Sequence, residues 1–335
     1  MARAIEAWSS LVGPGLPMDI ASATRRAVRL EQDGWDGCTI VDSQLAVPDS
    51  YVTLACCAGA TTRIKLGTGT SNPATRHPSV IANAAASLQV ASAGRMTLSL
   101  GRGDTSLLYI GGPPVSLRYF ESSVRMVREY LHGNAVEARD ASEFLSSTTH
   151  LRSSDDAENL QAQLSWAGDT YRPPELELAA SGPKVIRLSA RYADRIAFAL
   201  GADVERLRWA VTQAREAAEQ EGRDPAELRF AAYIPLFPHK DIQYAQELAR
   251  ITVMLMSRYT GATGTASQEP EQDAGSEAKF MDSQCLYGES DRCIDRIMEI
   301  AELGIDKFMF WSPDTELKAG ESYASAVDVI SKIRR

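Results

Sequence analysis

The feature that most restricts this chain's fold is an alternation of short β-rich runs with longer helical segments, sustained almost from end to end. Ile5–Ser9, Cys38–Val41, Ile64–Thr68, Met96–Leu100, Leu176–Ala180, Arg195–Ala199, Phe230–Leu236 and Lys307–Trp311 read as strands. The segment Met18–Asp33 follows a helical period, with Ile20, Ala23, Ala27 and Leu30 on one side and Arg25, Arg26 and Arg29 on the other, and Gly34 stops it. Further helices are expected over Asp49–Ala60, from Pro78 up to Gly94, and over Leu117–Leu131, Pro183–Tyr192, Val204–Glu221, Ile242–Tyr259 and Asp291–Leu303. The last should turn Ile294, Ile297, Met298 and Ala301 inward and present Asp291, Asp295, Glu299 and Glu302 to solvent. Strands joined by helical crossovers are parallel and right-handed, and eight of them close into an α/β (β/α)8 TIM barrel, with an open doubly wound sheet as runner-up.

At about 150 residues per domain, 335 residues suggest two domains, but barrels use such a length as one. Because no linker divides the alternation, a single domain over 1–335 is expected. Two stretches break the pattern. Residues 133–174, after the fourth helix, are serine- and aspartate-rich without a period and are expected to form a lid; 261–278 are expected to be a mobile loop.

The formal charge of −9 disfavours nucleic acid and anionic membranes as partners. Five cysteines, two of them adjacent, do not make a disulfide framework, and a reduced cytoplasmic chain is expected. Cys38, Cys56 and Cys57 are expected as buried core thiols. The uncharged stretch Pro78–Gly94 carries Asn83 and Gln89 and reads as a buried helix, not a membrane span. His77, His132, His150 and His239 show no metal-ligand spacing, so no metal is expected, and no Gly-x-Ser-x-Gly elbow marks a hydrolase. Trp8, near the end of the first strand, packs in the core or stacks on substrate; a barrel favours the pocket.

A barrel places chemistry at the C-terminal ends of its strands. After the third strand comes Gly67-Thr68-Gly69-Thr70-Ser71-Asn72-Pro73-Ala74-Thr75-Arg76-His77-Pro78, whose glycines let main chain approach a flat ligand, or simply make an ordinary turn. After the fourth, Gly101-Arg102-Gly103-Asp104-Thr105 begins like a dinucleotide fingerprint but lacks the third glycine; its amides can still hold an anion. After the fifth, Ser181-Gly182-Pro183-Lys184 opens a helix whose free amides can cradle a phosphate, although Gly-Pro is also a routine helix start and alone favours that plainer reading.

Taken in this order, with Gly94-Arg95, Ala193-Asp194 and the Gly288–Gly304 helix, these segments resemble the bacterial luciferase-like family. Within it they are most similar to the branch that uses the deazaflavin coenzyme F420, with methylenetetrahydromethanopterin reductase nearest in motif terms. The resemblance implies a cis peptide at Gly69–Thr70 that backs a tricyclic ring, with Ser71 and Asn72 beside it. It places the cofactor phosphate at Ser181, Gly182, Pro183 and Lys184, and the tail near Gly101, Gly103, Asp104 and Thr105. Asp42 matches an acidic position near the ring. Many members follow that acid with a histidine; here it is Ser43, so the catalytic proton must come from Glu6, His77 or the substrate. The cofactor implied is F420, moving a hydride to or from a small organic substrate, or FMN in an oxygen-activating monooxygenase. A non-catalytic flavin-binding barrel and a phosphate-binding lyase or isomerase stand as further alternatives. Small-residue packing along Ser79–Ala93 is expected to pair two copies as a homodimer.

Overall fold

Eight parallel strands close on themselves, which excludes the open sheet. The computed structural model describes residues 4–13, 16, 18–137, 140, 144, 161–250, 274–311 and 320–334. The barrel strands are β1 (Glu6–Ser10), β2 (Gly37–Ile40), β3 (Lys65–Thr68), β4 (Met96–Leu100), β7 (Glu175–Ala180), β8 (Arg195–Phe198), β9 (Arg229–Pro238) and β11 (Ile305–Trp311). They pair in that order, and β11 returns to β1. Two short strands, β5 (Val136–Glu137) and β6 (Gln161–Ala162), make an antiparallel pair, and β10 (Leu286–Gly288) extends the sheet beside the end of β9.

The helices are α1 (Ile20–Gln32), α2 (Ser50–Ala60), α3 (Pro78–Ala91), α4 (Asp104–Leu108), α5 (Leu117–Leu131), α6 (Pro183–Tyr192), α7 (Val204–Gln220), α8 (described over 242–250), α9 (Ala274–Gln284), α10 (Ser290–Ala301) and α11 (Gly320–Lys332). Local chemistry sets their limits. Asp19, Asp49, Ser116 and Asp203 accept amides of the first turns of α1, α2, α5 and α7. Gly94 and Gly304 end segments at φ +87° and +95°, a region side chains resist.

Several expectations change. Arg26 is buried on the inner side of α1, because its guanidinium donates to Ser10 O and Ser9 Oγ at the end of β1. Met298 is exposed, and so is Cys56. Residues 274–278 begin α9; 251–273, including the rest of the expected mobile loop, lie outside the described residues. Of the expected lid 133–174, the described parts contact α3 and α5, where Trp166 donates to Asn83, Gln89 donates to Arg172 O, and Phe144 meets His77 and Tyr119; 138–139, 141–143 and 145–160 lie outside the described residues. Among the described residues no helix is long and apolar enough to cross a membrane.

The barrel interior is charged at its N-terminal end. Glu6 opens β1 there, meeting Lys65 at 3.0 Å and Arg229 at 3.3 Å, while the fully buried Arg195 meets Glu175 at 3.2 Å and also pairs with Asp306. Glu6 therefore lies at the end opposite the mouth, and its expected role in proton transfer is corrected to one in folding. One layer up, Trp8 is 1% exposed, with the Lys307 ammonium 3.7 Å from its ring centroid. It is core, not a substrate platform. A Cβ on Gly37 would sit 2.2 Å from the Trp8 ring, so glycine at 37 is what admits the indole.

Burial pushes the Glu6 carboxyl up, but Lys65, Trp8 and Arg195 overcome this and hold it at about 2 against an ordinary 4.5. A depressed carboxyl stabilises the fold above its unfolded value and loses that contribution as pH falls toward its folded one. The difference is worth roughly 3 kcal/mol. Urea unfolding should show Glu6→Gln less stable by about 3 kcal/mol at pH 7 and indistinguishable from wild type near pH 2. An equal loss at both pH values would contradict the ionic origin.

Candidate active site

At the C-terminal end of the barrel, the exit of β2 holds the exit of β3. Asp42, 5% exposed, accepts Ser71 Oγ at 2.6 Å and both Nε (2.9 Å) and an Nη (3.1 Å) of Arg76. The same guanidinium reaches Asp49 at 2.6 Å and lies 4.9 Å from the Tyr51 ring centroid, and Tyr51 donates to Ser71 Oγ. Burial opposes the Arg76 charge, yet Asp42 and Asp49 more than offset this and hold its proton more firmly than water would. Main chain completes the lock, with Gly69 N donating to Ile40 O, Asp42 N to Thr70 O and Gly101 N to Ser71 O. The Gly69–Thr70 peptide within this lock is cis.

Glycine at three positions lets the segments meet. A Cβ at Gly69 would fall 2.8 Å from Thr39 and one at Gly101 2.8 Å from Thr70 Oγ1, while Gly103 has φ +83° against the Asn72 amide. Asn72 pins the region by accepting the Ala74 and Thr75 amides and donating to Ser106 Oγ and Asp42 O. Across the mouth, Gly182 precedes α6 without a side-chain cap and Pro183 fills its first position. The Lys184 and Val185 amides thus have no intrahelical acceptor, and a Cβ at Gly182 would meet nothing within 4 Å.

These three segments share one cavity of about 500 Å³, inside the usual range for ligand pockets of about 300–1,000 Å³. Gly69, Thr70, Asn72, Gly101, Gly103, Asp104, Thr105 and Ser181–Lys184 all line it. Ser71 and Asp42 stand behind the lining. The opposite wall comes from the ends of β1, β2, β9 and β11, with Ser10, Val41, Tyr233, Pro235, Met309 and Trp311. Among the described residues no three His, Cys, Asp or Glu side chains converge to hold a metal.

Residues 4–307 match the luciferase-like monooxygenase family model. The chain belongs to that family. It is 27% identical to 5,10-methylenetetrahydromethanopterin reductase of Methanolobus tindarius over 90% of this chain and 92% of the relative. Its fold superposes on an F420-dependent secondary alcohol dehydrogenase in complex with an F420-acetone adduct, with TM-score 0.73, 17% identity and 99% and 100% of the two chains. It also superposes on the oxygenating constituent of 3,6-diketocamphane monooxygenase from Pseudomonas putida in complex with FMN, with TM-score 0.70, 18% identity and 98% and 97% coverage.

Within this luciferase-like site the residues expected to move protons separate. Both oxygens of Asp42 are taken by Ser71 and Arg76, so it positions the bulge and does not face the cavity. His77 caps α3, accepting the Ser79 amide at Nδ1, and packs edge-on to Phe144 outside the lining. Asp104 differs. Its Oδ1 is buried without a hydrogen-bond partner among the described residues, and burial raises its pKa although Arg102 pulls it partly back. The sequence pointed to Asp104 as a tail contact; only the fold of α4 reveals its desolvation. Tyr233, Met309 and Trp311 were not singled out, although their places at strand ends are the signal that finds them.

Arg76→Ala leaves Asp42 buried with its charge unpaired. Urea unfolding should show a loss of about 3–5 kcal/mol, and the Asp42→Ala/Arg76→Ala double variant should lose less than the two single losses combined. A single-variant loss below about 1 kcal/mol would put the pair among weak surface contacts.

Proposed function

We propose that this luciferase-like chain is an oxidoreductase that binds coenzyme F420 in the barrel mouth and moves a hydride to or from a small organic substrate. The observation that carries this reading is the pairing, across one cavity, of a bare main-chain bulge at Gly69–Thr70 with the uncapped start of α6. The bulge offers a flat surface for a ring. The α6 amides, with Ser181 and Lys184, offer a seat for a phosphate. Relatives whose names carry F420 or its methanopterin chemistry support the choice of cofactor. When bound, F420 supplies a carbon that accepts or gives a hydride.

The chain's own part is positioning and proton control. Gly69, Thr70 and Asn72 back the ring, held from behind by Ser71 and Asp42. Gly101, Gly103 and Thr105, which follow β4, border the cofactor tail. Asp104 is the candidate acid–base group, since the residue borders the cavity and burial raises the pKa of its carboxyl. Reduced FMN in a monooxygenase is the second reading, favoured by the FMN-bound neighbour, because FMN also carries a phosphate for the same cradle.

We place two copies together through α2 and α3. Neither helix contains a charged residue, and both leave apolar side chains outside, with Val52 52%, Val80 50% and Val90 56% exposed. The five free thiols fit a reducing compartment, and we assign the chain to the cytoplasm.

Equilibrium titration followed by cofactor fluorescence should show F420 binding more tightly than FMN, and Lys184→Ala should weaken F420 about tenfold or more. FMN binding without F420 binding would transfer the chain to the monooxygenase reading. Asp104→Asn should lower kcat about 10²–10⁴-fold, far more than it weakens F420 binding; an unchanged kcat would remove Asp104 from proton transfer. Light scattering should find a dimer that Val52→Glu/Val80→Glu converts to monomer, and a monomeric wild type would contradict the pairing.

A further inference from the structure

The middle of the barrel holds a buried charge pair to which the proposed function gives no role. Glu177 on β7 and Lys307 on β11 are fully buried, and Lys307 Nζ donates to Glu177 Oε2 at 2.9 Å. Side chains alternate along a strand, so the next inward positions are Ala179 and Met309, and both line the cavity. The pair thus lies directly beneath the floor of the mouth. The second carboxylate oxygen, Glu177 Oε1, is buried without a hydrogen-bond partner among the described residues.

Tyr233 joins this pair to the cavity. It lines the mouth and packs on Trp8, Ala197, Ala231 and Met309. β9 is the seventh barrel strand and stands across the barrel from β3, the third. Even so, the phenol oxygen comes within 3.3 Å of Ser99 Oγ on β4. Ser99 belongs to the foot of the bulge, since its carbonyl accepts Ser71 N at 2.9 Å and Thr68 Oγ1 at 2.7 Å. Ser99 also pairs in register with Glu177. The phenol therefore adjoins both the main chain that backs the ring and the buried carboxylate. Burial, and then the Glu177 charge, push the Tyr233 pKa well above its ordinary value although Ser99 pulls it partly back, so the phenol keeps its proton.

A buried carboxylate oxygen is stable when a donor fills it, and the phenol beside Glu177 is such a donor. We infer, resting on the cofactor site proposed above, that Tyr233 is a further cofactor-contacting residue whose phenol oxygen accepts a hydrogen bond from a ring N–H, and that Glu177 and Lys307 are positioning residues that turn the phenol proton away from the cavity. Lys307 anchors the carboxylate through Oε2, and Oε1 takes the phenol proton. The phenol oxygen then offers its lone pairs to the Ser99 hydroxyl and to the mouth. Flavin and deazaflavin rings both carry an N–H between two carbonyls, the kind of group this acceptor fits.

The test reads binding, so it needs no substrate. Titration followed by cofactor fluorescence should show Tyr233→Phe weakening F420 about fivefold to tenfold. Glu177→Gln/Lys307→Met removes both charges together. It should weaken F420 by no more than Tyr233→Phe does, and it should cause no further loss when added to Tyr233→Phe. In protein carrying tyrosine labelled with carbon-13 at Cζ, the Tyr233 signal is identified by its loss in Tyr233→Phe. That signal should shift when F420 binds and, without cofactor, in the Glu177→Gln/Lys307→Met variant.

Tyr233→Phe binding F420 as tightly as wild type would overturn the inference; because this change keeps the packing, it decides the matter even where the charge variant fails to fold. A charge variant that weakens F420 as much in the Tyr233→Phe background as in wild type would overturn the positioning role. Wild type that binds FMN and not F420 would remove the choice of cofactor, and the same titrations with FMN would decide the role of Tyr233. Binding of neither would remove the cofactor site itself, and an unmoved cofactor-free Tyr233 signal in the charge variant would separately overturn the hold of Glu177 on the phenol.

Discussion

Asp42 is a carboxylate taken almost wholly out of water, and burial of that kind is stable only when its oxygens are filled. Arg76 and Ser71 fill them. Because Ser71 belongs to the bulge, Arg76 to the loop before α3, and Asp42 to the end of β2, satisfying one charge fixes three pieces of chain at once. Asp49 adds a fourth by binding Arg76 while capping α2. The cavity face that results is main chain, and it is positioned by groups that do not themselves line the cavity.

Along its axis the barrel changes character. The N-terminal end is closed by ionic groups around Arg195 and Glu6, and the middle by Lys307, Glu177 and Trp8. Only above Tyr233 does space open. Below the site the buried charges are paired with one another, and among the described residues the charged side chains of the lining are Arg102, Asp104 and Lys184, on the segments after β4 and β7.

Much of this was legible in the residues. Met96–Leu100 and Leu117–Leu131 have the limits their patterns predict, and Pro78, Gly94 and Gly304 act where helix chemistry requires. The strand-end segments that line the cavity were visible because glycine, proline and hydroxyl residues cluster there. What escaped depends on contacts distant in sequence. Glu6 reads as a carboxylate on a strand, but its partners include Arg229, 223 positions away, so which end it occupies is settled only by barrel register. Trp8 is core because Gly37 vacates space for it on the next strand. Asp104 becomes unusual only when the five-residue α4 folds its carboxyl out of water, and β5, β6 and β10 are too short to show any alternation.

The central claim is that a flat cofactor lies on the main chain at Gly69–Thr70 with its phosphate on the first amides of α6. A crystal structure of the complex with F420 tests this most directly. The account predicts ring atoms in van der Waals contact with that peptide and phosphate oxygens within hydrogen-bond reach of the Lys184 and Val185 amides. A cofactor bound with its phosphate elsewhere, or its ring against the Trp311 wall, would contradict it.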